Sequence, residues 1–242
     1  MLILALDTSS SSGSLALLRE SSVVAKRGIS PGEPFAASLL RDTKGLLESA
    51  QIHFEEIELF AVDAGPGSFT GLRTGLTTVK GWAEVYRRPI AAVSGLEAMA
   101  IQVSESAVAG SLIAVMMDAR RGQVFGGVFR KAVDGSGVLE RIGEESVSTA
   151  AEFLRSLRPE AGGASGLILA CAQPEIIRSA MEGQDTASFR IEIVSEELAP
   201  FIGRLGYRKA LRGEVVDALH LDANYIRRSD AEMNWRGAES AG

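Results

Sequence analysis

Residues 2–6 form an unbroken apolar run closed by Asp7, and a short run of this kind bounded by turn residues reads as a buried strand. The cluster 7–13 is rich in Ser and Gly, which favour turns through local hydrogen bonds and relaxed backbone angles. From that turn 14–18 returns as a second strand and 23–27 supplies a third, ended by Ser30-Pro31-Gly32. Phe35, Leu39, Leu40, Leu46 and Leu47 then recur close to helical spacing, which predicts a helix over 34–50 with one apolar face and Pro34 in its first turn. Next come a strand over 59–62, a tight turn at Gly65-Pro66-Gly67 and a helix capped by Ser68 that runs to Tyr86. A strand over 89–93 leads to a helix ending near Ser104, opened by a Ser94/Glu97 capping box.

This order fits a mixed sheet flanked by helices. The opening pattern then recurs: 112–117 is an apolar strand ending at Asp118, 119–122 is a polar turn, and 123–129 comes back as a strand. A degenerate tandem duplication is expected, with a first lobe over 1–104 and a smaller second lobe over 105–199. The second lobe is expected to hold a short strand near 138–142, a capped helix near 149–157, a strand over 167–171, a helix near 175–181 and a strand over 191–194. A last helix over 200–212 is expected to return to the first lobe, 162–166 reads as a surface loop, and 227–242 reads as a frayed polar tail.

With 242 residues, 46% of them hydrophobic, the chain can fill a substantial core. A net charge of −6 argues against a large self-sufficient nucleic-acid surface, so any RNA contact is expected to be shared with a partner. The single Cys171 sits in an apolar run and reads as a buried thiol in a reducing compartment. The opening run is too short for a signal peptide, and no stretch approaches the roughly eighteen apolar residues of a membrane span. A soluble, cytoplasmic protein without a membrane partner is expected.

Asp7-Thr8-Ser9 at a strand end, answered by Asp118 in the second half, is a pattern by which actin-like ATPases hold phosphates and a metal between two lobes. Ordinary turn chemistry explains the same residues, and both readings stand. Segment 65–73, GPGSFTGLR, feeds a glycine turn into a helix N-terminus; anion binding and a plain strand-to-helix turn both fit it. Gly71, Gly75 and Gly81 each cost about 1 kcal/mol inside a helix, so something must approach closely. Gly71, Gly75 and Thr78 share one side and, with Ser68 and Arg73, define a candidate partner-binding helix, the partner being intramolecular or a second chain. His53 and His220 are the only histidines and form no helical metal pair, and no GxSxG elbow occurs. Arg120-Arg121 and Arg227-Arg228 are basic pairs at expected turns or ends, which read first as solvated charge and second as a supplement to a shared RNA surface.

LALDTSSSSGSLALL, DAGPGSFTGLRTGL, PIAAVSGLEAMA, MMDARRGQVFGGVF and YIRRSDAE, in this order along nearly the whole chain, resemble the TsaB (YeaZ) family. The resemblance implies an actin-like ATPase (ASKHA, RNase H-like) fold of two lobes, mixed sheets flanked by helices. It also implies a role in making threonylcarbamoyladenosine beside the anticodon of tRNAs that read codons beginning with A. In that family the transfer belongs to the paralogue TsaD, which holds a metal through a histidine pair on its first long helix. The corresponding helix here offers Glu33, Ser38 and Asp42 and no such pair. The resemblance therefore implies a non-catalytic scaffold for TsaD, docked through a helical bundle of the first lobe and joined by the ATPase TsaE. It implies tRNA bound through the complex and no cofactor of its own, with ATP at the assembled complex; a homodimer is expected when the partner is absent, because an exposed helical face that binds a paralogue can bind its own copy. An actin-like phosphotransferase using Asp7 and Asp118 is the alternative. A metallopeptidase of the M22 kind is a remote one.

Overall fold

The computed structural model describes residues 1–29, 34–157, 166–181 and 189–226; Glu33, Arg227-Arg228, the expected loop up to residue 165 and the expected tail over 227–242 lie outside the described residues. The first half runs β1 (Leu2–Asp7), β2 (Ser14–Arg19), β3 (Ser22–Gly28), α1 (Phe35–Ala50), β4 (Leu59–Gly65), α2 (Phe69–Tyr86), β5 (Ile90–Ser94) and α3 (Gly95–Ser104). The second repeats the order with β6 (Leu112–Arg120), β7 (Gln123–Lys131), β8 (Leu139–Thr149), α4 (Ala150–Ser156), β9 (Leu167–Cys171), α5 (Pro174–Met181), β10 (Phe189–Ile193) and α6 (Ala199–Leu211).

The two sheets have the same topology, β3-β2-β1-β4-β5 and β10-β9-β6-β7-β8. In each, the first strand pairs antiparallel with the hairpin partner and parallel with the fourth, so β1 and β6 are structural counterparts. β1 and β4 are buried along their whole length because both faces of the sheet are covered, which is why they read as continuous apolar runs. α1 and α2 cover one face of the first sheet, α4 and α5 the outer face of the second, and α3 and α6 fill the layer between the sheets. α6 lies mainly on β1, β2, β4 and β5, whereas α3 leans on β6 and β7. The central core is thus shared: Ile3, Ala5 and Leu18 meet Ile113, Val115 and Phe129 through Met99, Val103, Ile202 and Leu205.

Two expectations are corrected. The strand expected over 138–142 is the eleven-residue β8, paired with β7 as far as Thr149 with Gln123. It is an edge strand with one open side, so its polar residues hide the apolar alternation. The Ser94/Glu97 box is half formed: Ser94 Oγ accepts from the Glu97 N–H at 3.4 Å, but that hydroxyl donates to Glu145. A reciprocal box does open α4, between Thr149 and Glu152.

Candidate functional site

Asp7 and Asp63 follow the last registered pair, Leu6 with Val62, of the parallel ladder between β1 and β4, and both are buried. Ser9 donates to Asp7 Oδ1 from N–H and hydroxyl, each at 2.8 Å, and the Gly65 N–H donates to Asp63 Oδ1 at 2.7 Å. Neither Oδ2 has a hydrogen-bond partner among the described residues. Burial pushes the Asp7 carboxyl up to about 6 against the pull of the Ser9 hydrogen bonds. Burial, then repulsion from Asp7, raises the Asp63 carboxyl well above its ordinary value.

Glu145 of β8 is buried beside them, accepting from Ser94 Oγ and, at 2.6 Å, from Asn224 Nδ2. Asn224 also donates its N–H to the Ala64 carbonyl at 2.7 Å, so the segment after α6 crosses the end of β4. Tyr225 then stacks on Phe69 and accepts from Arg73 Nε, while the Arg73 guanidinium lies 4.0 Å from the Phe69 ring centre.

Thr8 and Ser9 do meet the glycine turn, but as packing partners. Thr8 Oγ1 donates to the Gly71 carbonyl at 2.8 Å, and the Ser68 N–H donates to the Ser9 carbonyl at 2.7 Å. A Cβ on Gly71 would stand 2.0 Å from the Thr8 carbonyl oxygen, and one on Gly75 would stand 2.3 Å from Thr8 Oγ1. These glycines let α2 lie on the end of β1. They are buried, so as a docking stripe for a second chain they are corrected. Ser68 caps α2 through the Gly71 N–H. Asp118 accepts from the Arg120 N–H at 2.8 Å within its own hairpin. Ser12 donates to Glu196 at 2.6 Å, and Gln173 holds the other oxygen of that carboxylate.

The exposed side of α2 faces α1 across a groove of about 570 Å³ lined by Leu39, Leu40, Arg73, Thr77, Thr78 and Trp82 among others. Thr74 and Thr78 return their hydroxyls to carbonyls of their own helix, at 2.9 and 2.8 Å, so their polar ends are already spent. Leu40 is 60% exposed on the opposite wall. Leu40 and Trp82 also line a second hollow of about 380 Å³ with Phe54 and Tyr86, so the two run on as one apolar trough. On α1, Ser38 and Asp42 are fully buried, and Asp42 is paired with Arg27 at 3.3 Å. His53 and His220 are exposed, and each donates its backbone N–H to a nearby carboxylate, Glu56 and Asp217 respectively. Cys171 is buried, and burial pushes its thiol up to about 11. Among the described residues no group of three His, Cys, Asp or Glu is placed to hold a metal, and no helix is long and apolar enough to cross a membrane.

The family model of TsaD, tRNA N6-adenosine threonylcarbamoyltransferase, matches residues 19–191. The tRNA threonylcarbamoyladenosine biosynthesis protein TsaB of Bacillus subtilis is 33% identical over 97% of this chain and 98% of its own. A crystal structure from Pseudomonas aeruginosa, described as an uncharacterized protein with similarity to peptidase YeaZ, superposes with a TM-score of 0.75 at 26% identity, covering 93% of this chain and 99% of that one. The ROK hexokinase of Thermus thermophilus superposes at 0.51 with 11% identity, over 88% of this chain and all of its own, a likeness of fold alone. The fold is the actin-like ATPase fold, with two mixed five-stranded sheets flanked by helices.

Proposed function

The chain belongs to the TsaB family, and on that premise we propose that it is a non-catalytic subunit of the threonylcarbamoyladenosine pathway that docks the TsaD paralogue along the trough between α1 and α2. The trough is the observation that carries the reading. Two neighbouring helices of the first lobe present Leu40 and a half-buried Trp82 to solvent, flanked by threonines whose hydroxyls need no further partner. A partner helix laid between them extends the pair into a bundle, with the aromatic side chain as anchor. A second copy docks on the same face when the paralogue is absent.

The reading as non-catalytic rests on what the polar residues are doing. Asp42 is paired with Arg27, Ser9 is bonded to Asp7 and Ser12 to Glu196, so these groups are not free to hold a metal or a polyphosphate. On this reading the chain has no cofactor, TsaE and tRNA join through the assembly, and ATP is used at the complex. The test is a reconstituted transfer reaction with TsaD, TsaE, tRNA, ATP and threonylcarbamoyl adenylate, run with and without this chain and with each component alone. Modification that needs this chain, which alone turns over nothing, supports the proposal. Modification without it, or ATP turnover by it alone, removes it.

A further inference from the structure

The larger groove between α1 and α2 is walled by apolar side chains and threonines, with one exception. Among the described residues that line it, Arg73 alone is charged. It stands in the second turn of α2, and the groove runs from there to Trp82 near the other end of the helix. A long surface arginine samples many rotamers, and holding it in one geometry costs side-chain entropy. Arg73 is held nonetheless. Its guanidinium carbon lies 4.0 Å from the centre of the Phe69 ring, and its Nε donates to the Tyr225 hydroxyl at 3.3 Å. Phe69 and Tyr225 pack on each other with ring centres 5.3 Å apart. Tyr225 in turn follows Asn224, which is fixed by its N–H to the Ala64 carbonyl and by its side chain to Glu145.

These contacts fix the guanidinium and leave its charge unmatched. Among the described residues no carboxylate pairs with Arg73. With Nε engaged, the edge formed by Nη1 and Nη2 still offers two parallel N–H donors, the fork that a carboxylate or a phosphate accepts. The groove favours the carboxylate. Leu39, Leu40 and Trp82 are apolar, and the Thr74 and Thr78 hydroxyls are returned to their own helix. A sugar–phosphate backbone laid there finds no second cation, on which its binding depends. A protein helix with one acid among apolar residues is matched on both counts, apolar wall to apolar wall and charge to charge.

We propose that Arg73 is the charge anchor of this face and receives an Asp or Glu carboxylate carried by an otherwise apolar helix of the paralogue. The proposal rests on the reading of the groove as the docking face, and the test separates the two. Arg73→Met keeps an unbranched stem over Phe69 and removes the charged fork. By titration calorimetry its dissociation constant for the paralogue is expected to rise roughly 10–100-fold, and that of Arg73→Lys, which keeps the charge without the fork, about 3–10-fold. Binding by Arg73→Met is also expected to depend less on salt than binding by the wild type. Replacing each Asp and Glu on the paralogue's docking helices by Asn or Gln is expected to find one whose loss adds nothing once the Arg73 fork is gone. Wild-type affinity in Arg73→Met, or additive losses at every acid, overturns the charge anchor. If Leu40→Glu nevertheless weakens binding, the groove stands as the docking face; if Leu40→Glu also binds as the wild type does, the docking reading fails with it. Weaker tRNA binding by the complete assembly with unchanged affinity for the paralogue assigns the fork to a phosphate and overturns the carboxylate. Should Arg73→Met not fold, the acid substitutions on the paralogue, titrated against the wild type and Arg73→Lys, read the same contact from the other side.

Discussion

Asp7 and Asp63 follow the last registered pair of two adjacent parallel strands, both buried, and repulsion from Asp7 adds to burial in raising the Asp63 carboxyl. The pair fixes where the turn after β1 sits relative to the glycine turn after β4, and so where α2 begins.

Its first consequence is a pH dependence. Both carboxyls titrate above the ordinary value of 3.8, so the folded chain binds more protons than the unfolded one. Their contribution to stability is fully present below about pH 4 and is lost as pH rises through about 6 for Asp7. A shift of this size corresponds to about 3 kcal/mol. Asp63→Asn replaces an acid whose ionisation burial and Asp7 oppose by an amide with no charge to bury. It is expected to gain roughly 1–3 kcal/mol over the wild type at pH 8 and little at pH 4, measured by urea unfolding at both. Equal gains at both pH values contradict the raised carboxyls.

The glycines of α2 are expected to behave in opposite ways. Gly71→Ala drives a Cβ into the Thr8 carbonyl and is expected to cost about 3 kcal/mol. Gly81 has nothing within 4 Å of where its Cβ would stand, so Gly81→Ala is expected to stabilise by about 1 kcal/mol. Unfolding midpoints separate the two directly. For the same reason Gly75→Leu reports on packing against Thr8 and cannot serve as a docking probe.

Docking is read instead at exposed positions of the trough. Leu40→Glu and Thr77→Arg are expected to raise the dissociation constant for the TsaD paralogue at least tenfold, about 1.4 kcal/mol, by titration calorimetry. Their unfolding midpoints are expected to match the wild type, because both side chains already face solvent.

Asn224 ties the segment after α6 to both lobes, through Ala64 on one side and Glu145 on the other. Asn224→Ala removes a hydrogen bond to a buried carboxylate and is expected to cost about 2 kcal/mol. The loss is visible as faster amide exchange at Asn224 and Tyr225 than in the core strands.

The duplicated architecture was legible because each half opens with an apolar run, an Asp and a polar turn. Asp63 was missed although its signal matches that of Asp7, an acid closing the run LFAV as Asp7 closes LILAL. Spacing showed which face of α2 carries Gly71 and Gly75; it could not show that Thr8, distant in sequence, covers that face. Glu145 and Asn224 lie in polar stretches without periodicity and meet only through the fold. The trough was hidden for a related reason, since a threonine's type does not reveal that its hydroxyl is spent on its own helix.

The central claim is that this chain acts by docking through the face between α1 and α2. It is tested most directly by titrating wild-type chain and Leu40→Glu, side by side, into the otherwise complete transfer reaction and measuring threonylcarbamoyladenosine formed. The account predicts saturable activation by the wild type and, for the variant, the same plateau reached only at tenfold or higher concentration. Identical activation curves, or full activity before any chain is added, would contradict it.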